Sequence, residues 1–131
     1  MIDWQNYPNF SEREFKCRET GELKIDTRLL ETLQEIRTSY GRAMNVTSGY
    51  RSAAHSAERR KVDRGGKPGS HNKGLAADIQ CSGEEALELL RIALDHPMIK
   101  GIGIQQKGPH DYRFLHFDIM EEGPRPNIWS Y

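Results

Sequence analysis

Cysteine is scarce in this 131-residue chain: only Cys17 and Cys81 are present, far apart. A disulfide scaffold and a cysteine-rich structural zinc site both need more sulfur. Two cysteines so widely spaced read as free thiols. Net charge is also lacking, because 19 basic residues offset 19 acidic ones. A general binder of nucleic acid or anionic membrane carries a basic excess, so that class is excluded. The local cluster Arg59-Arg60-Lys61, with Arg64 nearby, reads as a solvated loop. No segment approaches the roughly 20 apolar residues of a membrane span. Met1 to Asn6 shows neither a basic n-region nor an apolar run, so the expectation is a soluble chain made in the cytoplasm without a signal peptide or membrane insertion. Repeats and low-complexity tracts are missing too, and the length suits one domain over residues 1–131.

What is present has clear punctuation. Ser11-Glu12-Arg13-Glu14 forms a capping box flanked by Phe10 and Phe15 at staple positions, so a short helix starts there. Asp26 caps a second helix with Leu29, Leu30, Leu33, Ile36 and Tyr40 on one face, stopped by Gly41. Ala43 to Ser48 reads as a strand with Met44 and Val46 on one side. Ala53 to Val62 carries a weak helical pattern, and Gly65 to Gly69 is a loop. Leu75 to Ile79 reads as a short buried strand. A second capping box at Ser82-Gly83-Glu84-Glu85 opens a helix with Ala86, Leu87, Leu90, Ala93 and Leu94 on one side. Strands follow at 101–104 and 113–119, separated by a Gly108-Pro109 turn, and residues 124–131 read as a tail tied down by Trp129 and Tyr131. Helices and strands do not alternate cleanly. An α+β fold with an antiparallel sheet and packed helices is therefore expected rather than a doubly wound one.

Two separated segments carry chemistry. Ser70-His71-Asn72-Lys73-Gly74-Leu75-Ala76-Ala77-Asp78 offers an imidazole and a carboxylate, and Phe114-Leu115-His116-Phe117-Asp118 offers a second imidazole. Catalytic zinc sites commonly use two His and one carboxylate and leave a fourth position open. Period-two alternation puts Phe114, His116 and Asp118 on one strand face and Leu115, Phe117 and Ile119 on the other. His71 and Asp78 converge on one ion if the chain turns at Gly74. Spacing alone leaves the ordinary reading open, in which these are unrelated polar residues or a satisfied polar core.

The stretch Ser48-Gly49-Tyr50-Arg51, then Ser70-His71 through Gly74, Ala76 and Asp78, then His116-Phe117-Asp118, resembles the zinc D-alanyl-D-alanine carboxypeptidase family. That family includes phage-type L-alanyl-D-glutamate endopeptidases and vancomycin-resistance dipeptidases, and it shares its fold with the Hedgehog signalling domain. The likeness spans about residues 8–131, and Arg125-Pro126 with Trp129 and Tyr131 resembles its small phage-associated members. The resemblance implies that His71, Asp78 and His116 hold Zn2+, that Arg51 faces substrate and stabilises the oxyanion, and that Ser70 bonds substrate or caps the turn. Asp118 either orients a ligand or bonds nearby backbone, and His55 and His110 read as solvated loop histidines.

The pattern departs from the family at one position. The usual acidic base stands three residues before the last histidine ligand, and here that residue is Arg113. Asp111 and His110, just upstream, are the candidates to take over, with Asp111 preferred. The resemblance implies a zinc peptidase that hydrolyses peptidoglycan stem peptides, as a DD-carboxypeptidase or LD-endopeptidase; no large apolar stripe is suggested, so a monomer is the default expectation. A phage lysis enzyme acting at the cell wall after release and a trimmer of recycled muropeptides both fit. The alternative is a non-catalytic zinc-containing module that binds peptidoglycan or a protein.

Overall fold

The computed structural model describes residues 1–131, with helices α1 (Glu12–Phe15), α2 (Thr27–Tyr40), α3 (Ser56–Asp63) and α4 (Gly83–Asp95). Strands β1 (Asn45–Ser48), β2 (Ala76–Gln80), β3 (Gly101–Gln105), β4 (Phe114–Asp118) and β5 (Asn127–Ser130) form one sheet in the order β1-β2-β4-β3-β5. The class is α+β, as expected. The first four strands pair antiparallel, but β5 lies parallel to β3, so the sheet is mixed. No helix is long and apolar enough to cross a membrane.

Local signals explain most of the elements. Glu14 accepts the Ser11 backbone N–H at 2.9 Å, which starts α1, and Phe10 packs edge-on against Phe15. Asp26 accepts from the Arg28 amide at 2.9 Å, and Gly41 ends α2 in a left-handed conformation. The box at Ser82 does not close, because the Ser82 hydroxyl is bonded to His110 Nδ1 at 2.7 Å. The buried stripe of α4 is Ala86, Leu89 and Ala93, while Leu87 and Leu94 lie at its exposed edges.

Alternation along the strands divides the sheet into two faces. One carries Val46, Ala77, Ile79, Ile102, Leu115 and Phe117, which join Leu29, Leu30, Leu33 and Ile36 of α2 and Leu89 of α4 in a single core. The tail expected at the end of the chain is the fifth strand, whose backbone pairs with β3. Cys17 and Cys81 are free and buried.

The opposite face carries polar residues in register. One transverse row runs through all five strands as Ser48, Asp78, His116, Gly103 and Trp129. The segment that delivers His71 enters β2 through Gly74 at φ +72°, and the Gly74 carbonyl accepts from the Asp26 amide at 2.9 Å. A Cβ at Gly74 would collide with the Lys24 carbonyl oxygen. Gly74→Ala is therefore expected to lower stability by at least about 2 kcal/mol, from left-handed strain plus the clash. Urea unfolding with chelator present measures this directly.

Candidate metal centre

Three elements bring His71, Asp78 and His116 together. Asp78 and His116 are register partners on β2 and β4, and His71 comes from the turn preceding β2. His71 Nε2 lies 3.2 Å from Asp78 Oδ1, His116 Nδ1 lies 3.0 Å from the same oxygen, and the two nitrogens are 3.2 Å apart. All three residues are buried.

Each imidazole is oriented by its other nitrogen. His71 Nδ1 lies 2.7 Å from the Gly49 carbonyl, which can only accept, so that nitrogen carries the proton and Nε2 presents its lone pair to the centre. Gly49 is tied to α1: a Cβ there would sit 2.7 Å from Phe15 Cα, and the Tyr50 amide donates to the Phe15 carbonyl. His116 Nε2 donates to Asp118 Oδ2 at 2.7 Å and turns Nδ1 inward. Two lone pairs and a carboxylate oxygen thus converge on one point. Such a cluster needs a cation or a proton between its acceptors. Ligand atoms around a tetrahedral zinc stand about 3.3 Å apart, close to this triangle.

The electrostatics agree with that requirement. Burial pushes His71 below the ordinary histidine value and favours its neutral, ligating form. Burial alone would raise Asp78, but the adjacent imidazoles hold its carboxyl well below the usual carboxylate range. Burial pulls His116 down, yet its bonds to Asp118 and Asp78 more than offset this and raise it. In the absence of a metal, a proton entering the cluster is therefore favoured on His116 over His71.

Arg51 sits on the outer oxygen of Asp78. Its Nη2 donates to Asp78 Oδ2 at 3.1 Å and its Nε to Ser48 Oγ at 3.1 Å, so Nη1 makes no bond within the chain. Ser70 Oγ is buried and 3.5 Å from His116 Nε2. Asp111 does not touch the triad: it is exposed in the short 310 turn His110–Tyr112 and accepts weakly from Gln80 Nε2 at 3.4 Å. Gln80 follows Asp78 on the same strand face, so Asp111 stands on the rim of the same side. Arg113 instead lies with Ala86, Leu87 and Leu90 on the α4 side, its Nε donating to the Gly108 carbonyl at 2.6 Å. His55 caps α3 and meets Glu19, away from the centre.

The sequence offered Asp118 as a residue that orients a ligand, but not the partners that hold it. Asp118 is fully buried and bound by Arg125, and Trp129 packs 5.1 Å from the His116 ring. Glu58 is buried beneath the loop before Ser70, 3.5 Å from the Gly69 amide. The signal for Arg125 and Trp129 was the pair Gly101 and Gly103, since glycine within a strand marks a close approach.

A family model described as peptidase M15 matches residues 8–118. The chain belongs to the peptidase M15 family. No curated protein matches it. M15 peptidases are zinc-dependent, and in this member the His71-Asp78-His116 group is placed for metal binding. Membership also implies a peptide substrate. The geometry of this M15 centre predicts one divalent ion per chain, with binding abolished in His116→Ala. Metal and proton compete for His116, whose proton affinity is raised, so metal affinity falls as pH falls, beginning above the ordinary histidine value of about 6.5. Calorimetric titration at several pH values in buffers of different ionisation enthalpy reads both the affinity and the released proton.

Proposed function

We propose that this chain is a zinc peptidase that hydrolyses amide bonds in bacterial peptidoglycan stem peptides. Its activity would be of the DD-carboxypeptidase or LD-endopeptidase type of small phage-associated wall hydrolases, and it would act as a monomer. The observation that carries this reading is the convergence of two imidazole lone pairs and one carboxylate oxygen beside an arginine whose Nη1 makes no bond within the chain. A donor set of two histidines and one carboxylate fits a catalytic zinc with one open position. When bound, zinc polarises the scissile carbonyl and makes a water molecule acidic enough to attack near neutral pH.

The protein supplies the remaining chemistry. His71, Asp78 and His116 hold the metal. Arg51 keeps its place through Ser48 and Asp78 and directs Nη1 at the developing oxyanion. Ser70, 3.5 Å from His116 Nε2, hydrogen-bonds substrate. Asp111 takes the proton from the attacking water and passes it to the leaving amine, reaching inward from its weak contact with Gln80. A carboxylate at this rim replaces the acidic residue usual three positions before the last ligand, where Arg113 faces away. The segments 52–69, which includes α3, and 105–112, which includes the 310 turn, select the bond.

Arg113 supports a second reading, a zinc-containing module that binds peptidoglycan without cutting it. Digestion of purified peptidoglycan and synthetic stem peptides, with and without zinc and read by mass spectrometry, separates the two. Zinc-dependent product masses, lost in His116→Ala, are expected. Arg51→Ala should lower kcat/KM by roughly a hundredfold to a thousandfold. Asp111→Ala should lower kcat by roughly a hundredfold or more while still binding one zinc. Full metal occupancy with no product from any substrate rejects catalysis in favour of the binding module.

A further inference from the structure

Asp118 is a carboxylate with no exposure to solvent. Burying such a group is costly unless it is paired and fully hydrogen-bonded. Its Oδ2 receives His116 Nε2 at 2.7 Å and Arg125 Nη2 at 2.8 Å, and its Oδ1 receives Arg125 Nε at 3.0 Å and the Met120 amide at 3.3 Å. The guanidinium therefore grips both oxygens in a forked pair, which fixes the plane of the carboxylate as well as its position. Trp129 completes the clamp, with the Arg125 guanidinium 4.9 Å from its ring centroid and the His116 ring 5.1 Å from the same side chain.

Space for this assembly is made on β3. A Cβ at Gly101 would meet the Asp118 carboxylate and lie 2.6 Å from Arg125 Nε. A Cβ at Gly103 would lie 2.8 Å from Trp129 Nε1 and 2.9 Å from the Tyr131 hydroxyl. Both glycines stand beside β4 in register, opposite Asp118 and His116. The family match ends at residue 118, so Arg125 and Trp129 lie beyond it.

We infer that Arg125 is a positioning residue of the metal centre: by clamping Asp118 it fixes the orientation of His116 and so presents Nδ1 to the ion. The segment from Pro124 to Ser130 is thus part of the metal site although it contributes no ligand. A forked donor is required, because a single ammonium leaves the carboxylate free to rotate about its bond to Cβ and carry the His116 ring with it. Outer-shell partners of this kind change metal affinity by roughly tenfold to a hundredfold. The inference rests on the metal-centre reading and is independent of whether the chain cleaves peptide.

The test uses the full chain stripped of metal. Zinc affinity is read by competition with a chromophoric chelator, and ligand geometry by the visible spectrum of the cobalt(II)-substituted protein. Arg125→Ala and Arg125→Gln are expected to bind zinc roughly tenfold to a hundredfold more weakly and to show an altered cobalt spectrum. Arg125→Lys is expected to fall between these and wild type. Arg28→Ala, which removes an exposed pair with Asp26, is the control and should match wild type. Circular dichroism of the apo forms confirms folding; if Arg125→Ala does not fold, Arg125→Gln decides. Wild-type zinc affinity with an unchanged cobalt spectrum in the Arg125 variants overturns the inference alone. Absence of metal binding by the wild type overturns the metal-centre reading and this inference with it.

Discussion

Two imidazole lone pairs and a carboxylate oxygen held within 3.2 Å of one another repel unless something positive lies between them, and the rest of the molecule is arranged to keep them there. In water the three groups would separate. Here each is fixed from behind: His71 by the Gly49 carbonyl, Asp78 by Arg51, and His116 by Asp118. Those supports are themselves fixed, Gly49 against Phe15 and Asp118 by Arg125. The core formed by α2, α4 and the inner sheet face supplies the free energy that offsets the repulsion, and burial of its aliphatic side chains is the main source. A metal ion bound there would return part of that cost as binding energy.

Elements specified by nearby residues were legible in the sequence. The Ser11 box, the Asp26 cap and the Gly41 stop each act over one helical turn and appear where expected. Alternation in β4 placed Leu115 and Phe117 in the core and His116 on the other side, because the period of a strand needs no knowledge of its neighbours. Readings that depend on partners distant in sequence were harder. Ser82 had the composition of a capping box, but His110, 28 residues further along the chain, bonds its hydroxyl. Leu87 and Leu94 fit the helical period yet lie at the edge of the packed stripe.

The metal centre shows the same division. His71, Asp78 and His116 were singled out through the order of three motifs and the structure brings them together, whereas spacing alone had left an ordinary polar reading open. Nothing local to Arg125 indicates that it grips a carboxylate seven residues back, since the pairing depends on the parallel register of β3 and β5. The 124–131 segment read as a tail because its four-residue strand has a partner only after β3 is in place. Asp111 is close to the right face, but its approach to substrate depends on loop conformation, which no periodicity encodes.

The two faces of the sheet give the strands an interleaved text. In β2 and β4, odd-numbered residues such as Ala77, Ile79, Leu115 and Phe117 specify that the chain folds, while even-numbered residues such as Asp78, His116 and Asp118 build the candidate metal centre. The two sets share a backbone but not a neighbourhood. Mutation can therefore explore new donor sets on one side of these strands while the packing on the other is left as it stands, and a single fold can serve several chemistries without being rebuilt.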